Sequence, residues 1–200
     1  MRTPRIAVVA TLALALLAFA PVAASAKPVT DAAGQAFAKD LEGTIAVGDP
    51  TVFKNGFDCL TALERALAPI DSPAQMKAEF TKGAAEGCAG FGDQIAGLVS
   101  QGGSYKLLRV RSIGGSPRAL FRLISNDAVN YHDLVLEDSR GKTRVVDIHV
   151  YLTGELFSET IRRTYVTALA SDQSLMGKLS GEQSDFVKHL PKIREMQTLR

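Results

Sequence analysis

The chain lacks a surplus of charge of either sign once its first segment is set aside. Lysine and arginine number 23, aspartate and glutamate number 21, and two of the arginines, Arg2 and Arg5, lie within the first 26 residues. The remaining cations therefore balance the 21 anions. Because nucleic-acid binding needs surplus cations on one face to neutralise phosphates, this balance argues against a broad nucleic-acid-binding surface. We expect no nucleic-acid partner.

Cysteine is also scarce. Residues 27–200 contain only Cys59 and Cys88, and neither has a second cysteine or a histidine at the spacing of a metal-ligand set. The glycine pairs at 102–103 and 114–115 lack the Gly-Lys-Ser or Gly-Lys-Thr of a phosphate-binding loop. We therefore expect neither a metal nor a cofactor. In an oxidising compartment the cysteine pair predicts one disulfide, worth about 3–4 kcal/mol; two buried free thiols are the alternative.

Only one long hydrophobic run is present, and it lies at the start of the chain. After Arg2 and Arg5, residues 6–20 are apolar except for one threonine, and Ala24-Ser25-Ala26 then provides the small residues of a cleavage site. This layout predicts a signal peptide over residues 1–26. A membrane anchor is the alternative, but a helix over 6–20 would rise about 22 Å and fall short of a bilayer core of roughly 30 Å.

No cysteine for a lipid anchor stands near this cleavage site, and no later segment is long and apolar enough to span a bilayer. We therefore expect an exported protein, periplasmic or extracellular, with no membrane span after cleavage. Residues 27–200 contain no internal repeat, low-complexity tract or linker, which predicts a single domain. With 46% hydrophobic and 22% charged residues, the chain has enough apolar side chains for a core.

The first half of the domain has helical periodicity. Asp31 is positioned to cap a helix that carries Phe37, Leu41 and Ile45, and an apolar stripe over residues 53–67 predicts a second helix. A third helix is predicted from residue 73 to the glycine pair at 102–103. Four glycines interrupt it, which indicates either a bend or the close approach of another backbone: Gly83, Gly87, Gly90 and Gly92.

The second half changes to strand patterns. Short turn segments separate four runs rich in β-branched and aromatic residues, and these predict an antiparallel meander with strands at 104–113, 117–125, 129–138 and 143–152. Helical periodicity returns after Gly154, with weaker helical pieces at 171–179 and 181–199. The predicted fold class is therefore α+β: N-terminal helices packed on a curved four-stranded antiparallel meander, followed by C-terminal helices. The core covers residues 31–166 and a helical extension covers 167–200.

The strand register decides which side chains share a face. A three-residue loop at 139–141 would pair Asp138 with Lys142. That register predicts an apolar face against the helices: Ala119, Phe121, Leu123, Leu134, Leu136, Val146, Ile148, Val150 and Leu152. The opposite face would carry four arginines and a set of candidate catalytic residues: Arg109, Arg111, Arg118, Arg122, Tyr131, Asp133, Asp147, His149 and Tyr151.

These polar residues have two interpretations. A carboxylate beside an imidazole raises its basicity, so His149 with Asp147 or Asp133 could act as a base while a tyrosine donates a proton. Alternatively, the residues form the wet face of a sheet, held by cross-strand Arg–Asp pairs of about 0.2–1 kcal/mol each. His132 is predicted to lie on the apolar face as a buried neutral imidazole, opposite to His149, so the two histidines do not suggest a metal site.

The element order, helices followed by a long curled meander over roughly residues 31–166, resembles the nuclear-transport-factor-two-like or cystatin-like α+β superfamily. The resemblance implies a bent sheet wrapped around a helix to form a cone. Members of that superfamily include isomerases and dehydratases as well as binding modules without catalysis, so it implies a fold more than a chemistry.

Taken together, the sequence favours an exported module that binds a small apolar ligand or a protein partner without catalysis, through the cone interior or the C-terminal helices. The alternative is a small isomerase, dehydratase or hydrolase that uses His149 with Asp147 or Asp133, and a third possibility is a structural envelope protein. The amphipathic stretch from Ser171 onward either packs back on the domain or docks on another protein.

Overall fold

The computed structural model describes residues 29–125, 128–139 and 141–170, and they form an α+β fold. The predicted signal peptide and the predicted helical extension beyond Ala170 lie outside these residues. Five helices come first: α1 Asp31–Ala46, α2 Thr51–Gly56, α3 Cys59–Leu67, α4 Ala74–Ala89 and α5 Phe91–Ser100. The strands then follow, with a last helix: β1 Ser104–Ile113, β2 Ser116–Ser125, β3 Ala128–Ser139, β4 Lys142–Val150, β5 Glu155–Leu156 and α6 Phe157–Ala170.

The sheet is antiparallel with the strand order β1-β2-β3-β4-β5, so the predicted meander is confirmed but has five strands rather than four. The additional strand, β5, is only two residues long and pairs with the end of β4. A two-residue strand carries too little alternation to be recognised in a sequence. The fourth strand also ends earlier than predicted, at Val150, so Leu152 is 78% exposed instead of joining the apolar face.

The predicted second helix is divided into α2 and α3. Between them, the backbone N–H of Asp58 donates to the carbonyl of Val145 in β4 at 2.8 Å, which ties this junction to the sheet. The Asp58 carboxylate then accepts from the backbone N–H of Thr61 and caps α3. At the start of α1 the cap is Thr30 rather than the predicted Asp31, which lies in the first turn.

The predicted third helix is likewise divided, into α4 and α5, at Gly90. Gly92 explains the close approach that the glycines suggested, because a Cβ at this position would stand 3.2 Å from the Phe53 ring of α2. Gly83 and Gly87 have a different environment: nothing in the described part of the chain lies within 4 Å of the place where their Cβ atoms would stand. The predicted bend and the predicted close approach therefore belong to different glycines.

The turn between β3 and β4 corrects the predicted register. Ser139, not Asp138, pairs with Lys142, so two residues rather than three separate the paired positions. A β-bulge follows, since Leu136 pairs with Val145 whereas Val135 pairs with Asp147. The bulge restores the alternation that the three-residue loop would have given, so most of the predicted faces are retained although the partners differ. Val145 rather than Val146 joins the main core.

Two apolar clusters hold the elements together. The main cluster lies between the sheet and α1, α2 and α5, and it includes Leu41, Phe53, Phe121, Leu134 and Ile148, each no more than 1% exposed. The smaller cluster joins the last turns of α3 to α6 and to Phe80 of α4.

The predicted disulfide is confirmed, because Cys59 at the start of α3 is bonded to Cys88 near the end of α4. Within residues 29–125, 128–139 and 141–170, no helix has the length and hydrophobicity needed to cross a membrane.

Candidate functional site

The candidate site lies on the sheet face opposite to the main core. Asp133 in β3 pairs with His149 in β4 and with Leu120 in β2, and the arginines of β1 and β2 share this side of the register. We call it the arginine face and define it by eight residues: Arg109, Arg111, Arg118, Arg122, Tyr131, Asp133, His149 and Tyr151. All five candidate residues from the sequence share this side of the register, and Asp147 differs from the others because its carboxylate is bonded to Ser158 of α6.

Asp133 is the central carboxylate of the arginine face. It is 3% exposed, and its Oδ2 atom lies 3.9 Å from both the Arg111 Nη2 and the Arg118 Nη1 atoms. Burial raises the pKa of Asp133 above its ordinary value, although the charges of Arg118, Arg111, His149 and Arg109 act in the opposite direction. The fold therefore disfavours the negative charge of Asp133 even with cations around it.

Several buried polar atoms of this face have no hydrogen-bond partner among the residues that the structure describes. They are the Oδ1 atom of Asp133 and the Nε atoms of Arg118 and Arg122. The two arginines occupy the positions diagonal to Asp133 on β2, on either side of Leu120. A buried unsatisfied polar group destabilises the folded state by about 1–3 kcal/mol. A cluster that served only as structural ion pairs would therefore be destabilised by these unpaired atoms.

The aromatic side chains of the arginine face form a small group at the ends of β3 and β4. The rings of Tyr131 and Tyr151 are 6.0 Å apart and those of His149 and Tyr151 are 4.8 Å apart, both edge to face. Tyr131 is 36% exposed and Tyr151 46% exposed. Exposed tyrosines beside arginines are typical of protein interfaces.

The carboxylate of Asp147, a predicted catalytic candidate, is engaged in hydrogen bonds within the fold. Its Oδ1 atom accepts from the backbone N–H groups of Ile148 at 2.9 Å and Ser158 at 3.1 Å. Its Oδ2 atom accepts from the Ser158 hydroxyl at 2.6 Å. Since Ser158 belongs to the first turn of α6, Asp147 satisfies a free backbone donor there and fixes the start of that helix on β4. All of these groups are buried.

His132 lies on the other face of the sheet, as predicted, and is 4% exposed. Its Nε2 atom is 3.1 Å from the Asn130 amide nitrogen, and its Nδ1 atom is 3.3 Å from the Tyr105 hydroxyl. Burial lowers its pKa from 6.5 to about 4, so the ring is neutral at physiological pH. The oxygen of Asn130 accepts from the backbone N–H groups of Tyr131 and Leu152, which orients the amide nitrogen toward the histidine.

A second surface feature was not identified from the sequence. Helices α4 and α6 both pack on α3, and between them lies a groove of about 430 Å³, which we call the α4–α6 groove. Its lining is mainly apolar or small: Phe80, Gly83, Ala84, Gly87, Phe157 and Ile161. Only the unfilled glycines of α4 gave a signal for it, because the pairing of α4 with α6 brings together segments separated by about seventy residues.

The chemistry available at the two surfaces differs. The arginine face offers planar cations, two phenols and one buried carboxyl, which suits recognition of an anionic group. The α4–α6 groove offers apolar contact. Within the ranges that the structure describes, no three histidine, cysteine, aspartate or glutamate side chains cluster closely enough to hold a metal ion.

Comparison with protein families and with curated proteins gives no relative. No family model matches the chain, and no curated protein matches it closely enough to count as related. The arginine face and the α4–α6 groove are therefore the basis for a function.

Proposed function

We propose that this protein is an exported, non-catalytic binding module that recognises an acidic segment of a partner protein through the arginine face. The observation that carries the proposal is the charge of this face, where β1 and β2 contribute four arginines and Asp133 is the carboxylate that lies within ion-pair distance of two of them. The chain as a whole is nearly balanced in charge, so this concentration of cations is local.

The geometry of the strands supports an extended acidic ligand. Alternate residues of one strand, such as Arg109 and Arg111, are spaced by about 6.7 Å, and Arg111 lies directly opposite Arg118. Acidic side chains at alternate positions of an extended peptide have the same spacing. The guanidinium group can bind a carboxylate through two parallel hydrogen bonds, and the Arg111 side chain is 41% exposed and so accessible to a ligand.

The contacts that the candidate catalytic residues already make favour binding over catalysis. Asp133 lies between Arg111 and Arg118, and Asp147 accepts both polar hydrogens of Ser158. His149 therefore shares its strand with a carboxylate that is already engaged and faces one that burial disfavours as an anion. Neither arrangement gives the imidazole a free carboxylate partner to orient it for proton transfer.

The proposal also includes export of the protein and its resemblance to the nuclear-transport-factor-two-like superfamily. The disulfide supports an oxidising compartment, and the packing of α1 across β1 and β2 supports the resemblance to the nuclear-transport-factor-two-like superfamily. Intact-mass spectrometry of the protein isolated from its own compartment tests the export step. A chain that begins at Lys27 and lacks two hydrogens is expected, whereas an intact N-terminus with free thiols would contradict export.

Binding can be tested with a fluorescently labelled glutamate-rich peptide and its glutamine-rich counterpart, by anisotropy at low salt. The double variant Arg111→Gln/Arg118→Gln is expected to weaken binding of the acidic peptide by about tenfold or more, because it removes two of the facing cations. The matched control is Lys39→Gln/Lys82→Gln, which removes the same charge from exposed positions of α1 and α4. Equal losses in both variants would contradict a specific face.

The variant Asp133→Asn provides a more discriminating test of the same binding. Removal of the only carboxylate among the eight residues of the arginine face should strengthen binding of the acidic peptide, while binding of the glutamine-rich peptide should not change. An unchanged or weaker affinity would show that the peptide does not contact this face. A single-stranded DNA oligonucleotide that competes more strongly than the acidic peptide would contradict a protein partner and indicate a phosphate ligand instead.

A further inference from the structure

We propose that the α4–α6 groove is the docking site for the chain's own C-terminal segment, residues 171–200. This inference concerns a surface that the proposed function does not use. It rests on the lining of the groove, on the place where α6 ends, and on the length and pattern of the residues that follow.

The groove is shaped to receive another element. Its walls run antiparallel, since Cys88 and Phe157 line one end and the Phe80 ring lies 4.8 Å from the Tyr165 ring at the other. Helix α3 packs against both of the helices that form the walls. An element laid in it would complete a four-helix arrangement around the smaller cluster.

The glycines of α4 support the same conclusion. Gly83 and Gly87 are one helical turn apart, both are exposed, and both line the groove with open space where a Cβ would stand. A glycine inside a helix costs about 1 kcal/mol relative to alanine. No contact within the described residues compensates for this cost, whereas an element packed closely against the glycines would.

The remaining chain has the reach to be that element. Helix α6 ends at Ala170, and Ile161 at the middle of the groove is only about 14 Å back along the helix. Residues 171–180 can span roughly 33 Å when extended, which is enough to reverse direction. The groove between Phe80 and Cys88 is about 12 Å long, and a helix over 181–199 would exceed it.

The sequence of the segment matches the groove in character. Phe186, Leu190 and Ile193 recur at a spacing of four and three residues, which places them on one side of a helix. Large side chains are suited to a wall that presents two glycines and an alanine. Because the segment is attached to α6, its effective concentration at the groove is high, so even a modest interface would be occupied.

Hydrogen exchange followed by mass spectrometry on the full chain tests the proposal. Residues 181–199 are expected to exchange at least roughly tenfold more slowly than a free segment. Ala84→Arg, which places a charge in the groove, should remove that protection. The matched control Ala78→Arg makes the same change at an exposed position of α4 outside the groove and should preserve it.

A variant of the segment keeps the test valid if Ala84→Arg disturbs the fold. Phe186→Ser should release residues 181–199 and also increase exchange at residues 157–164 of the groove wall. Fast exchange of the segment in the unaltered chain would overturn the proposal, as would protection that survives both variants. Protection that increases with protein concentration would place the segment of a second copy in the groove and overturn the intramolecular arrangement.

Discussion

The two faces of the sheet are built from the same strands but stabilised by different means. On the helix-covered face, Phe121, Leu134 and Ile148 are fully buried and surrounded by other apolar side chains. On the arginine face, Leu120 and Asp133 are also nearly inaccessible, yet their strand neighbours on that side include arginines. Burial on the second face therefore depends on the stems of long charged side chains, which can move.

The difference shows that low exposure alone does not identify a core. A side chain under helices is enclosed by parts that cannot leave without unfolding, whereas a side chain under arginines is enclosed by groups that a ligand can displace. The two histidines show the same contrast: burial lowers the pKa of His132 to about 4 on the helix-covered face, and His149 on the arginine face is only half-buried.

The largest expected effect compares one leucine from each face. Leu134→Ala should lower the free energy of unfolding by about 2–5 kcal/mol, because the cavity lies in a packed core that cannot close. Leu120→Ala should cost only about 1–2 kcal/mol, since the arginine stems can settle into the space. Urea denaturation of both variants measures the difference. Equal losses would mean that the arginine face is as rigidly packed as the core.

The second prediction concerns pH. The pKa of His132 is 6.5 when the chain is unfolded and about 4 when it is folded, so the unfolded chain binds the proton first as the pH falls. The stability that this group contributes is complete above pH 6.5 and is lost between pH 6.5 and 4, by about 3 kcal/mol in total.

Urea denaturation across this pH range provides the measurement. His132→Gln should flatten the pH dependence relative to the unaltered protein. Parallel curves for the unaltered protein and His132→Gln would contradict the buried neutral imidazole.

These contrasts also show what the sequence could reveal. The two cysteines, isolated in the domain, predicted the disulfide, and the alternation of β2, β3 and β4 placed most side chains on the correct face. The division at Gly90 was signalled by the glycines around it, whereas the division at Asp58 was missed, because the spacing of apolar residues continues across Asp58. A tertiary contact sets that boundary, the hydrogen bond from the Asp58 backbone N–H to the Val145 carbonyl.

Only part of the candidate site was predicted from the sequence, because the rest depends on contacts between segments that are distant in the chain. Strand pairing brings Asp133 and His149 together, and their alternation can be seen in the sequence. The role of Asp147 depends on Ser158, which follows eleven residues later, after β4 and its turn. The α4–α6 groove depends on the packing of separate helices, and no local pattern encodes that contact. Long-range packing is therefore what the sequence pattern could not supply.

The third prediction compares the two buried aspartates. Asp147→Asn should lower the free energy of unfolding by about 1–3 kcal/mol, because Ser158 would lose a carboxylate acceptor in a buried position. Asp133→Asn should leave stability unchanged or increase it at neutral pH. Burial raises the pKa of Asp133, so the folded protein holds its proton more tightly and stability falls as the pH rises through the Asp133 pKa.

The difference between Asp133→Asn and the unaltered protein should therefore vanish as the pH falls below the ordinary aspartate value of 3.8. Thermal denaturation of the three proteins at matched pH measures these signs. If Asp133→Asn were as destabilising as Asp147→Asn, the Asp133 carboxylate would have to accept hydrogen bonds from the surrounding arginines.

The smallest expected effect is that of His149→Ala. The ring of His149 contacts Tyr151 edge to face and lies opposite Asp133, but it is half-buried and its loss leaves no enclosed cavity. We therefore expect the free energy of unfolding to change by less than about 0.5 kcal/mol. Urea denaturation beside His132→Ala, which removes the same side chain from the helix-covered face, makes the comparison direct. A loss of several kcal/mol from His149→Ala would place this histidine in a buried network and return the arginine face to consideration as a catalytic site.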